Sequence, residues 1–578
     1  MRSPICVLKF GSSVLAGADD FPSAVLEIYR EVRQGRKVVA VVSAVGDTTD
    51  RLLAEARAIW GEPDPESLAR LLETGEAQAA ARLGLALDAT GVPARILDPV
   101  QIGLVTSDHV LDAEPLTFRP EVIHHALAEV PVVVVPGFSG RRRDGRPSLL
   151  GRGGSDLTAL FLAHGLQAQE CRLLKDVDGL LQVREDGTLD HGTRYATAHY
   201  DECLRVGGPL IQPKAVEFAA ACGLSFRIAR CGTRGGTLAG PVPSAFEPVP
   251  RRPPLRVALA GLGTVGGGVR RWLECLPHDF QIVGILVKHP ERHRTETIPG
   301  ILLASDPESL LARDPDLVVE LIGGQDTAAH LGAACRARNV PLVSANKQLL
   351  ADDTSFLETL ASHSASLVAG SASVGGSVPA LETVSRLAAT RTVTRLEGVI
   401  NGTCNYILDR MHEGLNLDEA LTEAQLAGMA EADPFLDISG WDCVYKLSLL
   451  ATRAFGRSVP PELIERQGLD NATTALVQKT MREGKLLKLV AEAALVDGQV
   501  TARVRLASLP VGHPLAGCRK EENALLVTTE DQETVVVRGK GAGRWPTTLS
   551  VVADVQDQAR RLVAAAEIGV GLSRRESA

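Results

Sequence analysis

Aromatic residues are scarce, at 4% of 578 positions, and no stretch approaches the ~20 consecutive apolar residues that cross a bilayer. A membrane role is therefore not expected. Basic charge is also short: the net charge is −9, and the runs Arg141-Arg142-Arg143 and Arg251-Arg252 are too small to make a nucleic-acid-binding stripe. Small molecules are the expected partners, with neither nucleic acid nor membrane among them. The ten cysteines lie scattered, with no CxxC pair and no Cys/His cluster at zinc-ligand spacing. They read as reduced thiols of a cytoplasmic protein. The opening MRSPICVLKFGSS has no long apolar core and no small-residue cleavage site, and it runs straight into a first strand, so no secretory address is expected.

The composition, with 45% apolar and 23% charged residues, is that of a globular protein, and 578 residues exceed what one core organises. The clearest seam is the proline-dense stretch 241–254, where a linker without regular structure is expected. On both sides of it β-branched runs alternate with helical patterns: Val38 to Val45 and Val130 to Pro136 before, Leu255 to Ala260, Gln281 to Val287 and Leu317 to Ile322 after. That alternation predicts two α/β domains with largely parallel sheets. From about Thr392 longer helical stretches, Leu417 to Met429 and Gly440 to Phe455, precede strand-like runs near Val500 to Leu506 and Thr534 to Val537. A separate α+β region is expected there.

Arg256-Val-Ala-Leu-Ala260 reads as a buried strand, Gly261-Leu-Gly263-Thr264-Val265-Gly266 follows at once, and a helical run from Gly267 to Leu276 comes next. This is the context a dinucleotide fingerprint needs. The first glycine permits the tight turn, the second admits the pyrophosphate to the backbone, and the third lets helix approach strand. Where the second strand ends, an NAD enzyme usually has an acid for the ribose 2′-hydroxyl; this chain has Lys288-His289, with Arg292 behind. Those charges favour a 2′-phosphate, hence NADP, with NAD as the alternative. Solvated surface charge is the competing reading of the same residues.

Three further segments, in order, resemble homoserine dehydrogenase: Val343-Ser-Ala-Asn-Lys347; Gly398-Val-Ile-Asn401-Gly402-Thr403-Cys-Asn-Tyr-Ile-Leu408; and the stretch from Ala430-Glu431 through Asp433-Pro, Asp437 and Asp442 to Lys446. Gly539-Lys-Gly541-Ala-Gly543, followed by Pro546-Thr547, is similar to that family's closing segment. The resemblance implies reversible NAD(P)-linked reduction of aspartate semialdehyde to homoserine. It places Lys347 and Lys446 at the reacting end, one of them as proton donor. Glu431 and Asp442 would bind and orient the amino acid, with Asp437 beside them, while the backbone of Asn401, Gly402 and Thr403 lines the pocket and Gly541 and Gly543 meet the cofactor. Asp442 and Lys446 are four apart on an expected helix, so an ordinary surface ion pair is the bland alternative for those two. One departure concerns a monovalent-cation site that the family builds from a Glu-Ala-Ser-Val-Gly segment. Here the segment is Ser371-Ala-Ser-Val374-Gly-Gly376, which retains Val374 and Gly376 but not the glutamate.

The first half places glycine and hydroxyl residues at strand ends, in Lys9-Phe-Gly11-Ser-Ser13-Val14 and Val42-Ser-Ala-Val-Gly46-Asp-Thr48. Leu150-Gly-Arg152-Gly153-Gly154-Ser155-Asp156 opens a helix and offers backbone N–H groups to phosphate. With Gly75-Glu76, Lys175-Asp176-Val-Asp178-Gly179 and Gly207 to Phe218, these segments resemble the amino-acid kinase fold, aspartokinase in particular. The resemblance implies ATP and Mg²⁺ as well as aspartate. Lys9 would stabilise the transferring phosphoryl group, and Thr48, Glu76 and Arg152 would hold aspartate. Ser155 and Asp156 would organise the site, with nucleotide against Lys175, Asp176, Gly179 and Lys214. The Lys9-to-Val14 loop is one residue shorter than in aspartokinases and closer to glutamate 5-kinase, and Gln182-Val-Arg184-Glu185-Asp186 replaces the usual run after Gly179.

The expected architecture is α/β: an amino-acid-kinase-like domain at 1–240, the linker at 241–254, a Rossmann domain at 255–390, an α+β substrate and dimerisation domain at 391–538, and a closing segment at 539–578 that returns to the nucleotide domain. The whole is similar to bifunctional aspartokinase/homoserine dehydrogenases, with no room for ACT-type regulatory domains between the halves. A homo-oligomer, at least a dimer, is expected. The alternative is a dehydrogenase alone, preceded by a non-catalytic kinase-like oligomerisation or sensing domain.

Overall fold

The computed structural model describes residues 3–567, apart from 185, 209, 234, 250, 251, 292, 294–300, 325, 363–366 and 432. Arg292, proposed near the 2′ position, and Glu185 of the altered kinase loop lie outside the described residues. The chain forms two compact units, residues 1–251 and 252–578. Among the described residues no helix is long and apolar enough to cross a membrane.

In the first unit all of Ile5–Phe10 is buried, as is nearly all of Lys37–Val42. Strands without a solvent face belong in the middle of a parallel sheet, between layers of helices. Ile5–Phe10 pairs in parallel with Lys37–Val42 on one side and Glu170–Lys175 on the other. Val132–Pro136, Ala94–Ile96 and Phe226–Arg230 extend the parallel array. Lys9 and Lys175 thereby reach the carboxyl rim of adjacent strands, where open α/β sheets bind ligands.

The seam is not free of regular structure. Ala245–Pro248 forms a strand, antiparallel to Leu189–His199. Arg194 reaches Glu247 at 2.7 Å, and the rings of Tyr195 and Phe246 lie 4.4 Å apart. Proline breaks a strand by withholding an N–H, but Pro248 stands at the last residue of this one, where little is lost. The expected linker is corrected accordingly: its first half is part of the first unit's sheet.

The second unit begins with six parallel strands in the order Leu302–Ala304, Phe280–Leu286, Leu255–Ala260, Leu317–Glu320, Leu342–Ser344, Val368–Ala369. This is the doubly wound dinucleotide-binding order. The helix after the fingerprint is Thr264–Glu274, so it starts ahead of the expected Gly267. The third glycine lies inside its first turn, and no other residue fits there because a Cβ on Gly266 would stand 2.2 Å from the Gly261 carbonyl oxygen.

A second sheet, mostly antiparallel, orders Glu465–Arg466, Gln499–Pro510, Lys485–Val496, Val393–Val399, Glu522–Thr529 and Thr534–Lys540. One apolar cluster runs from Ala258 and Leu342 of the first sheet through Leu447 and Leu450 of helix Trp441–Phe455 to Leu489 and Val527 of the second. The two layers of this unit therefore share a core. The last helix, Arg544–Glu567, packs on Thr264–Glu274 closely enough that a Cβ on Gly268 would lie 2.7 Å from the Thr548 hydroxyl.

Lys488, fully buried in the second sheet, donates to Asn405 Oδ1 at 2.7 Å, Asp409 Oδ1 at 2.8 Å and the Cys518 carbonyl at 2.7 Å. The other Asp409 oxygen accepts from the Lys520 amide at 2.8 Å. Three donors meet three acceptors, which is the condition for a buried ammonium to be tolerated. They tie helix Gly402–His412, and with it Asn401, to the sheet. Lys488→Ala is expected to lower stability by roughly 3–5 kcal/mol by stranding Asp409, and Lys488→Met combined with Asp409→Leu to recover most of the loss. Urea denaturation of the three chains checks this; an unchanged midpoint in the single variant would deny the cluster any stabilising role.

Candidate active sites

In the second unit the nucleotide cradle is built first. Gly261 takes φ +101°, and a Cβ there would sit 2.6 Å from the Leu321 carbonyl oxygen. At Gly263, by contrast, a Cβ would meet nothing within 4 Å. The turn is thus closed on the protein side and open above the N-terminus of the helix begun by Thr264 and Val265, the geometry that receives a phosphate. Lys288 follows the end of strand Phe280–Leu286 and is exposed, whereas His289 is paired with Glu291 at 3.2 Å. Gly541 approaches the Gly376 turn, and Gly543, at φ +117°, leads into the last helix.

At the carboxyl rim of the same sheet, strand Leu342–Ser344 turns into helix Lys347–Asp352, with Lys347 as its first residue and Asn346 as its cap. Helix Trp441–Phe455 presents Asp442 and, one turn on, Lys446. Lys347 Nζ lies 2.7 Å from Asp442 Oδ1, and Lys446 Nζ lies 2.8 Å from Oδ2. Lys446 also donates to the Ile400 carbonyl at 2.9 Å. Asn401 Nδ2 donates to both Asp442 Oδ2 and Asp437 Oδ1 at 2.7 Å, while its Oδ1 caps the following helix by accepting from the Cys404 amide. Asp442 is 3% exposed and Lys446 8%, which rules out the surface-pair reading. The Lys347 side chain is 31% exposed and faces the open side.

Burial pushes the Asp442 carboxyl up, but the Lys446 and Lys347 ammonium groups overcome that and hold it below the usual carboxylate range. The Asp442 charge in turn raises Lys347 against the opposing effect of burial. Asp437 is raised, first by burial and then by its like-charged neighbour Asp442. Together these groups make a pocket with two fixed ammonium charges, two carboxylates, and an amide that keeps the carboxylates apart.

Of the other expected residues, Gly402 and Thr403 open helix Gly402–His412, and the Thr403 hydroxyl donates to the Met429 carbonyl at 2.9 Å. That bond ties the helix to the segment before Glu431. Glu431 is itself exposed and reaches Lys347 through its field, as one of the carboxylates that raise it. At the candidate cation loop, Gly376 turns at φ +53° beside Lys540 and Gly541, and Val374 is buried. The Ser371 amide and hydroxyl donate to the two oxygens of the buried Asp554, both at 2.9 Å. Side chain 371 is therefore a donor, and its carboxylate partner is engaged on both oxygens. Ser371 thus supplies no carboxylate of its own at the loop that carries Val374 and Gly376.

The first unit repeats the motif of one carboxylate between two lysines. Asp156, in the first turn of helix Gly154–Gly165, receives Lys9 at 2.7 Å on Oδ1 and Lys175 at 2.9 Å on Oδ2, and all three are buried. Burial lowers Lys9 to about 8, with Asp156 opposing the shift and Lys175 adding to it. Glu76 accepts from the Ala44 amide at 3.1 Å and is pushed up to about 7 by burial. The Thr48 hydroxyl is turned onto the Val45 carbonyl, and Ser155 is buried against Gly137. Gly179, at φ +116°, packs on Thr237. Arg152 and Asp176 are exposed. Lys214 donates to Asp112 at 2.8 Å, to the Ala113 carbonyl at 2.7 Å and to the Leu150 carbonyl at 3.4 Å, where the loop leading to Asp156 begins. Sequence reasoning missed Asp112, Asp554 and Ile400, whose contributions depend on partners far along the chain.

Known proteins align with both units. Residues 4–230 match the amino acid kinase family, residues 261–368 the homoserine dehydrogenase NAD-binding domain, and residues 379–556 homoserine dehydrogenase. The chain is 33% identical to homoserine dehydrogenase of Synechocystis sp. over 314 residues, covering 52% of this chain and 72% of that one. It is 36% identical to that of Mycobacterium bovis over 327 residues, covering 54% and 73%. A solved homoserine dehydrogenase from Thiobacillus denitrificans is 30% identical, with 54% of this chain and 74% of that one covered and a TM-score of 0.49. The fingerprint, Lys347, Asp442 and Lys446 all fall inside the matched spans, and the chain belongs to the homoserine dehydrogenase family, with a segment of the amino acid kinase family ahead of it.

Proposed function

We propose that residues 252–578 interconvert aspartate semialdehyde and homoserine with a nicotinamide dinucleotide, NADP in preference to NAD, and that residues 1–240 phosphorylate aspartate from MgATP. The dehydrogenase reading rests on the Lys347–Asp442–Lys446 cluster at the carboxyl rim of the fingerprint sheet, of which Asp442 and Lys446 are buried. Small-molecule substrates and a homo-oligomer of at least two copies go with it.

The open space above Gly263 fits a dinucleotide: Gly261, Gly263, Thr264, Val265 and Gly266 would hold its pyrophosphate, Gly541 and Gly543 its far end, and Lys288 a 2′-phosphate. When bound, the cofactor supplies or takes the hydride. The chain's own residues do the rest. Lys347 and Lys446 keep positive charge where the aldehyde oxygen becomes an alkoxide, and one of them gives it a proton. Asp442 keeps both ammonium groups aligned up to that point. Glu431 and Asp437 attract the substrate's α-ammonium, and the backbone at Asn401 to Thr403 lines the pocket.

For the kinase half, the supporting observation is the buried excess of cationic over anionic charge around Asp156. Uncompensated buried charge is costly to a merely structural domain, whereas a transferring phosphoryl group would compensate it. Thr48, Glu76, Arg152 and Ser155 would hold aspartate, and Lys175 to Gly179 the nucleotide. The second reading, a non-catalytic module, draws on Lys214, which is held by Asp112 and Ala113.

Lys446→Ala is expected to lower kcat for homoserine oxidation about 100- to 1000-fold with folding intact, the usual loss for one transition-state donor; a near-normal kcat would remove it from the chemistry. Lys288→Ala should weaken NADPH roughly 10- to 100-fold and NADH hardly at all, since only the former brings a charged phosphate partner. Equal effects on the two would take Lys288 out of the 2′ site.

In the kinase half, aspartate and MgATP should give an acyl phosphate trapped by hydroxylamine, with glutamate run beside it, and Lys9→Ala should abolish trapping while sparing homoserine oxidation. Because Lys9 is lowered to about 8, its charge is present below that pH and lost above it. The kcat/KM for MgATP, which reports the unliganded site, should accordingly fall as pH rises through about 8. No trapped product with either amino acid, in protein that oxidises homoserine, would favour the non-catalytic module.

A further inference from the structure

Glu320 is the last residue of strand Leu317–Glu320 and is completely buried. It lies opposite Ala260, the end of the fingerprint strand, and opposite Ser344, the end of the next strand out. A carboxyl group in that position costs stability that a valine would not, so what it holds matters. One oxygen, Oε1, accepts from the Ile322 amide at 2.7 Å, and the other, Oε2, accepts from the Ser344 hydroxyl at 2.5 Å. The Ser344 oxygen accepts in turn from the Asn346 amide at 3.0 Å.

Asn346 completes the chain of contacts. Its Nδ2 donates to the Gly324 carbonyl at 2.8 Å and the Ile322 carbonyl at 3.3 Å, and its Oδ1 accepts from Leu349 to cap the helix that Lys347 begins. One link from Glu320, through Ser344, therefore ends on the turn from Ser344 to Lys347, whose ammonium group meets Asp442 at 2.7 Å, and the other holds the Ile322 amide, whose carbonyl accepts from Asn346. The turn is held from the strand side by the Glu320 and Ser344 side chains, which end on the Asn346 backbone amide, and from the far side by the Asn346 side chain.

We propose that Glu320 is a positioning residue for hydride transfer at this site: through Ser344 and Asn346 it fixes the turn that delivers Lys347 to Asp442. The proposal rests on the reading of Lys347 as a residue of the reacting end. Burial pushes the Glu320 carboxyl up to about 7 while its donors pull it down, so it lies close to the balance between its two protonation states and accepts the Ile322 amide in both.

The test uses the full chain with Glu320→Gln, which keeps the volume, and Ser344→Ala, which cuts the first link at less risk to folding. Either change should lower kcat for homoserine oxidation about 10- to 100-fold, as displacement of a catalytic group by an ångström does, while KM for homoserine and Kd for NADP stay within about twofold. In a Lys347→Ala background the same changes should cost nothing further, because they act through Lys347. Losses that add in full to that of Lys347→Ala, or that fall on NADP binding instead of kcat, would overturn the proposal. So would a normal kcat in both Glu320→Gln and Ser344→Ala, which leaves the reading of Lys347 standing if Lys347→Ala is impaired. A normal kcat in Lys347→Ala itself refutes that reading and the proposal together.

Discussion

The arrangement on which both units depend is a buried carboxylate held between two lysines. Asp442 takes Lys347 on one oxygen and Lys446 on the other, and Asp156 takes Lys9 and Lys175 in the same way. An isolated buried ammonium loses its proton or its fold, because burial penalises the charged form. One carboxylate shared by two lysines opposes the penalty of burial with a single acid, and it fixes their separation. Low dielectric strengthens the field such a pair presents to an incoming group relative to water.

The surrounding backbone follows from that constraint. In the second unit, Lys446 has a donor left after pairing with Asp442 and spends it on the Ile400 carbonyl, at the point where strand Val393–Val399 gives way to helix Gly402–His412. Asn401 is the residue between them. Its oxygen caps the helix and its amide bridges Asp442 and Asp437, so a local requirement of helix initiation and a requirement of the site are met by one side chain. The buried Lys488 then holds that helix to the sheet behind it. In the first unit the corresponding economy is topological. Lys9, next to last in its strand, and Lys175, last in the parallel strand beside it, come to one rim without any bulge or crossing.

What could be read from sequence divides along the range of the interaction. The dinucleotide cradle was legible because its causes are local: Gly266 answers to the Gly261 carbonyl, Gly261 to the end of the strand beside it, and Gly263 stands open where a ligand would approach. Lys347, Asp442 and Lys446 could be singled out, but the four-residue spacing of the last two says that they share a helix face, not that the face is buried. Burial is decided by Ile400 and Asn401, some forty residues earlier in the chain. Glu320 ends an apolar run and gave no sign of its role, since its partner Ser344 lies on another strand. The proline-dense seam was misread for the opposite reason: a local signal for a break was overridden by an edge strand that tolerates proline at its end. Glu431 and Lys214 carried motif-based expectations, yet one stands exposed and the other is tied to Asp112.

The two lysine pairs differ in what else balances them, and the difference matches the chemistry each would face. Around Asp442 a second carboxylate, Asp437, is hydrogen-bonded through Asn401 to the first, so two ammonium charges meet two acids. That near-neutral pocket suits an amino acid, which brings one charge of each sign, and leaves the lysines to answer the negative charge that develops only as the aldehyde oxygen is reduced. Around Asp156 the further acid that acts on Lys9 is Glu76, which burial pushes up to about 7, so its compensating charge is incomplete near neutrality. The pocket is left with positive charge to spare, and the groups that neutralise such a site best are phosphoryl oxygens, which carry charge before, during and after transfer. The same carboxylate-and-two-lysines device is thus set for a transient negative charge in one unit and for a permanent one in the other, by the protonation balance of a single neighbouring acid.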